Sequence, residues 1–149
     1  MSFFGDGGKS EMSQVLVQNN DITHYKQAIK AGSHSFTADV PKDKGGEETG
    51  PNPHELLLGA LGSCTSITLQ MYAKKKEWDL KNVSVALSEE EVDDPANAGK
   101  KMSKITRDIT VQGNLTPEQV ESLKVVADKC PIHKILQGSK SIETAISKN

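Results

Sequence analysis

Residues Asn52 to Lys76, NPHELLLGALGSCTSITLQMYAKKK, limit more than any other stretch what this chain can fold into. The spacing predicts one long helix. Asn52 can cap it, Pro53 suits the first helical position, and Glu55 falls where a carboxylate reaches back to the cap's own N–H. Apolar residues recur at Leu57, Leu61, Cys64, Ile67 or Thr68, and Met71, which predicts the inward stripe. Leu56, Leu58 and Ala60 widen it until the first half is apolar nearly all round, so the helix is expected to be central. Gly59 and Gly62 each cost a helix about 1 kcal/mol relative to alanine, so a backbone or ligand is expected close by. Cys64 lies at the middle of this element.

The chain has 149 residues, enough for one domain with a real core. Residues 1–13 read as a loose arm carrying Phe3 and Phe4, and residues 14–149 as the domain. Strands are expected around Val15 and Val17, over Ile22 to Ala31 and over Ser33 to Val40, then a polar loop from Pro41 to Pro51. After Trp78 the period returns to two, with Val83, Val85 and Leu87 on one face. An acidic loop from Glu89 to Lys101 leads to a return strand, Lys104 to Gln112. There Arg107, the only arginine in the chain, is in phase with Ile105, Ile109 and Val111. Thr116-Pro117-Glu118-Gln119 starts a second helix with inward Val120, Leu123, Val126 or Ala127, and Cys130. Pro131 ends it, a turn follows, and Ser141 to Ile146 is a last strand. The order β-β-β-α-β-β-α-β implies an α+β fold.

A net charge of -2 leaves no electrostatic footprint for nucleic acid or an anionic membrane. No apolar run is expected to reach membrane-spanning length, and the first residues lack a signal-peptide core, so a cytoplasmic protein is expected. Two cysteines in a reducing compartment argue against a structural disulfide. They are too few for a cysteine-only metal site, and none of the four histidines has zinc-type spacing with them, so no metal is expected.

Cys64 and Cys130 each fall on an apolar stripe. A buried free cysteine is commonly just a small hydrophobe. The other reading is a thiol pair, in which one thiolate attacks an electrophile, becomes a sulfenic acid and condenses with the second thiol. Cys130, expected at a helix C-terminus, faces a partial negative charge that opposes a thiolate. That makes Cys64 the better attacker and Cys130 the better resolver. The candidate activating or pocket residues are Arg107, His54 and Glu55. His54 lies ten residues before Cys64, about 15 Å along the axis, and Glu55 already has the capping role.

NPHELLLGALGSCTS followed by ADKCPIHKIL resembles the OsmC/Ohr family of osmotically inducible and organic-hydroperoxide-resistance proteins. The resemblance runs from about Gln14 to Ile146 and takes in ITRDITVQGNLTPEQ. It implies an intertwined homodimer whose two central helices pack between sheets of both chains. It also implies reduction of organic hydroperoxides by a peroxidatic Cys64 and a resolving Cys130, without haem, flavin or metal. A dithiol such as lipoamide would reset the disulfide. The chain departs from the family where it has His54 in place of an acidic residue after Asn-Pro. It also has no arginine in the early strands, for which Arg107 or a lysine such as Lys26 is the expected replacement. A rival reading keeps the dimer but makes the pocket a binder of an apolar small molecule, with the cysteines as lining.

Overall fold

A computed structural model describes residues 13–149. Phe3, Phe4 and most of the expected N-terminal arm lie outside the described residues. The chain divides into two compact units: one runs to Ala60 and takes in Leu87–Thr106, the other comprises Leu61–Ala86 and Arg107–Asn149.

The first unit is built on a three-stranded antiparallel meander, β1 (Val15–Gln18), β2 (Gln27–Ala31) and β3 (His34–Ala38). Val15 pairs with Ala31 and Gln18 with Ala28, while Ala31 faces His34 across a two-residue turn. Gly32 opens that turn at φ +60°, the conformation that tight hairpins demand of their first central residue. The strand expected from Ile22 begins only at Gln27, because Asn19 and Asp21 hold the backbone in turns. The amide of Asp21 donates to Asn19 Oδ1, and Asn19 Nδ2 donates to the carbonyls of His24 and Lys26.

After β3 the chain is pinned by Asp39, which is 3% exposed. Its carboxylate accepts the Thr49 hydroxyl at 2.6 Å, the Thr49 amide at 3.1 Å and the Val40 amide at 2.8 Å. The Thr49 hydroxyl is the largest of the influences that hold its pKa at about 2, against an ordinary 3.8. A carboxylate whose folded pKa is lowered adds stability that is complete above its unfolded pKa and disappears as pH falls through the folded one. Thermal unfolding should therefore show wild type losing stability from about pH 4 toward pH 2, with Asp39→Asn losing less over that window. Equal slopes would remove Asp39 as a clamp on the loop.

Helix α1 (Pro53–Lys75) opens with the expected reciprocal cap. The Glu55 amide donates to Asn52 Oδ1 at 2.8 Å and the Asn52 amide to Glu55 Oε1 at 3.0 Å. Its buried face keeps Leu61, Cys64 and Thr68 of the expected stripe and loses Leu57 and Met71. Leu61, Gly62, Cys64, Thr65, Thr68, Leu69 and Ala73 are buried, while Leu57, Ile67 and Met71 are each about 40% exposed. Most of the first half of the helix is exposed as well, so it is not central within this chain. The expectation of no membrane-length apolar run is also corrected. By length and composition α1 could cross a membrane, a test that the core helix of a folded domain passes too.

In the second unit, α1 packs Leu69 with Leu123, Val126 and Ala127 of α2 (Pro117–Ala127). Tyr72, Trp78, Leu80, Ile109 and Val111 surround this core, and the Tyr72 and Trp78 rings meet edge to face at 5.5 Å. β4 (Asp79–Asp93) and β5 (Lys101–Asn114) form the long hairpin. Its loop is shorter than the expected Glu89 to Lys101, because the strands continue to Asp93 and resume at Lys101. At Gly113, φ +143°, a Cβ would run into the Asp79 carbonyl, so only glycine fits the end of this ribbon.

Thr116 caps α2 in a full capping box with Gln119, as the sequence predicts. Val120, expected inward, is 42% exposed. The expected last strand, Ser141 to Ile146, is absent: these residues have no regular structure, and Ile142 and Ile146 are 87% and 98% exposed. A short helix, α3 (Pro131–Gln137), precedes them instead. The observed order is β-β-β-α-β-β-α-α, still α+β.

Candidate functional site

The two thiols come from different segments of the second unit and lie close together. Cys64 lies midway along α1, and Cys130 follows the end of α2. Both are free, and Cys130 is near enough to Cys64 to act on its ionisation. Both residues are buried, Cys64 at 6% exposure and Cys130 at none.

Cys130 is not at a helix C-terminus, which corrects the dipole reading. α2 ends at Ala127 with Asp128 as its C-cap, and Cys130 is the N-cap of α3, with Pro131 at the first helical position. The roles of the two thiols therefore rest on access and on donors. The Ile132 amide, in the first turn of α3, lies where it favours the Cys64 thiolate. Burial is the largest influence on Cys64 and raises its pKa, and neighbouring Cys130 raises it further. The Ile132 amide opposes both, and Thr68 opposes them more weakly. The hydroxyl of Thr68 still forms no ordinary hydrogen bond.

Arg107 reaches into this unit from β5. Its guanidinium donates to Thr65 Oγ1 at 3.1 Å and to Asp128 Oδ1 at 2.9 Å, with only 12% of the side chain exposed. Thr65 follows Cys64 directly and donates to the Leu61 carbonyl at 2.7 Å; Asp128 lies two residues before Cys130. Arg107 is therefore a brace between the segments that carry the sulfurs. Asp128 is 68% exposed, so its ion pair adds little. Arg107→Met should lower stability by about 1–2 kcal/mol, mainly through the Thr65 contact, and leave the Cys64 titration in place. Absorbance of the thiolate against pH checks this: a displaced titration would make Arg107 an activating residue.

The remaining candidates have other partners. His54 Nδ1 lies 2.7 Å from Glu89 Oε2, and Ser103 donates to Glu89 Oε1 at 3.0 Å. His54 first, then Ser103, holds the Glu89 carboxyl below its ordinary value. Glu55 serves the α1 cap. Lys26 lines a polar cleft with Asp21, His24 and Glu47, in which His24 bridges both carboxylates at 2.9 and 3.0 Å. His133 sits 3.9 Å from Asp128. Among the described residues no three His, Cys, Asp or Glu side chains are grouped to hold a metal ion.

Sequence reasoning missed Thr65, Thr68, Asp128 and the Ile132 amide. Two threonines one and four residues past the cysteine, on an otherwise apolar helix, were the available signal for the first two. Pro131 at a helix start was the signal for the last.

Comparison with known proteins bears on this arrangement. A family model described as OsmC-like protein matches residues 45–145. No curated protein sequence matches the chain significantly. An OsmC-like protein from Mycoplasma pneumoniae has a similar structure, with TM-score 0.71 and 18% identity over 87% of this chain and 90% of that one. An organic hydroperoxide resistance protein OsmC from Legionella pneumophila gives TM-score 0.64 and 16% identity over 88% and 93%. The organic hydroperoxide resistance protein OhrB of Bacillus subtilis gives 0.60 and 20% over 86% and 92%.

Proposed function

This chain belongs to the OsmC-like protein family, and from that premise we propose that it reduces organic hydroperoxides to alcohols with two cysteines. The observation that carries the reading is a pair of buried free thiols that the fold brings close together, one from α1 and one from the junction of α2 and α3. Cys64, as thiolate, attacks the terminal oxygen of the hydroperoxide and becomes a sulfenic acid while the alcohol leaves. Cys130 then attacks the Cys64 sulfur, closing the disulfide and releasing water. An external dithiol such as lipoamide reopens it, and a reducing cytoplasm keeps both thiols free between turnovers. The large apolar residues that α1 leaves exposed fit a homodimer that covers them.

Burial raises the Cys64 pKa, so attack through this thiol depends on the Ile132 amide and on whatever the bound substrate or a second chain adds. Stopped-flow mixing of reduced protein with cumene hydroperoxide and with hydrogen peroxide tests the reading. Fast, stoichiometric thiol loss with the organic peroxide supports it. Loss no faster than that of an ordinary free thiol would sink it. A second reading has one observation in its favour: a cleft of about 240 Å³ whose floor of Leu69, Ile109, Val111, Val120 and Leu123 is edged by the charged Arg107, Asp108, Glu121 and Lys124. That lining suits an apolar ligand, and binding without thiol oxidation would favour it.

A further inference from the structure

The threonines that flank the reactive thiol on α1 are in opposite states. The Thr65 hydroxyl is used twice, giving its hydrogen to the Leu61 carbonyl and accepting one from Arg107. Thr68 is 0% exposed, and its Oγ1 is the one buried side-chain polar atom without a hydrogen-bond partner among the described residues. A buried hydroxyl left unpaired is unfavourable. Within a helix the remedy is close at hand, since a threonine can donate to the carbonyl four residues back, as Thr65 does. Thr68 does not do so. It stands one turn beyond Cys64, on the same face, with its hydroxyl near enough to the sulfur to favour the thiolate.

We propose that Thr68 is a catalytic residue, whose hydroxyl donates a hydrogen bond to the oxygen that Cys64 takes from the peroxide. The inference rests on the peroxidase reading above. In the first step a sulfur lone pair forms the S–O bond as the O–O bond breaks. Sulfur loses two electrons, and the peroxide becomes an alkoxide that picks up the proton the thiol gave up. The transferred oxygen keeps its own hydrogen as the sulfenic hydroxyl and accepts from Thr68. In the second step the Cys130 sulfur attacks Cys64, and this oxygen departs as hydroxide, whose growing negative charge the same donor meets. The unpaired oxygen of the resting protein is then a donor waiting for an oxygen that only the reaction brings.

Thr68→Val keeps the shape and removes the hydroxyl, and Thr68→Ser keeps the hydroxyl. The valine variant should consume cumene hydroperoxide about tenfold more slowly, the value of one hydrogen bond made in a transition state. Its melting temperature should not fall, because the group removed has no partner in the folded protein. Serine should restore the rate. A merely structural threonine would instead lower stability on substitution and leave the rate per folded molecule unchanged. Wild type reacting no faster than a free thiol would bring down the peroxidase reading by itself. A second measurement then still decides on Thr68: Cys130→Ser protein treated with one equivalent of hydrogen peroxide, its Cys64 sulfenic acid trapped with dimedone. Unchanged sulfenic lifetime in Cys130→Ser/Thr68→Val, or an unchanged rate in Thr68→Val alone, overturns the proposal.

Discussion

Cys64→Ser is expected to abolish thiol-dependent consumption of organic hydroperoxide, whereas Cys130→Ser should react once and stop. The asymmetry follows from the site. Cys64 is the less deeply buried of the two and the one whose thiolate the Ile132 amide favours, while Cys130 is fully buried. A serine hydroxyl at position 64 stays protonated at neutral pH and is a poor nucleophile toward peroxide. With Cys64 intact and no Cys130, the sulfenic acid lacks its partner, so excess peroxide should carry it on to sulfinic acid. Mass spectrometry of the intact chain reads both results. Disulfide in wild type, one added oxygen and then two in Cys130→Ser, and no change in Cys64→Ser are the expected pattern. Full turnover by Cys64→Ser would assign the attack to Cys130.

The largest loss of stability is expected from Leu69→Ala. Leu69 is fully buried at the point where α1 meets Leu123, Val126 and Ala127. Emptying such a site removes transfer free energy and leaves a cavity, a combined cost of about 2–5 kcal/mol. That is a large share of the ~5–15 kcal/mol by which ordinary domains are stable. Leu69 lies five residues beyond Cys64 on α1, and the α2 side chains it meets shortly precede Cys130. The same cavity should therefore loosen the thiol pair and slow disulfide closure. Urea unfolding followed by Trp78 fluorescence gives the first effect, with Ile142→Ala, at an exposed site, as the near-zero control. A midpoint for Leu69→Ala matching that control would show that the core lies elsewhere.

Both long helices could be read from their starts, because a capping box is encoded in four neighbouring residues: Asn52 to Glu55 and Thr116 to Gln119. Which face α1 buries could be read only in part, through Leu61, Cys64 and Thr68. Hydropathy ranks Leu57, Ile67 and Met71 above Gly62, Thr65 and Thr68, yet the chain buries the smaller residues beside Leu61 and Leu69. Pro131 was read only as a stop. It is also a start, since the first helical residue needs no N–H, and Gly138 closes the short helix that follows. The alternation of Ile142 and Ile146 suggested a strand, but a strand needs a neighbour, and no pattern within six residues reports one. At the site, the cysteines and the in-phase Arg107 stand out by type. Their partners do not, because Thr65 and Asp128 lie 42 and 21 residues from Arg107 and only the fold brings them to it.

The lone arginine also has a use as an address. A protease that cuts after arginine finds one site in the whole chain, between Arg107 and Asp108, inside β5 and with the arginine side chain nearly closed off. The native chain should resist such cleavage, since the bond must leave the ribbon before it can enter a protease cleft. Once the chain is opened, the cut yields residues 1–107 and 108–149, and each fragment carries one cysteine. The two pieces then travel together on a non-reducing gel if a Cys64–Cys130 bond had formed, and separate if it had not. The redox state of the pair thereby becomes a difference in size, read without any label.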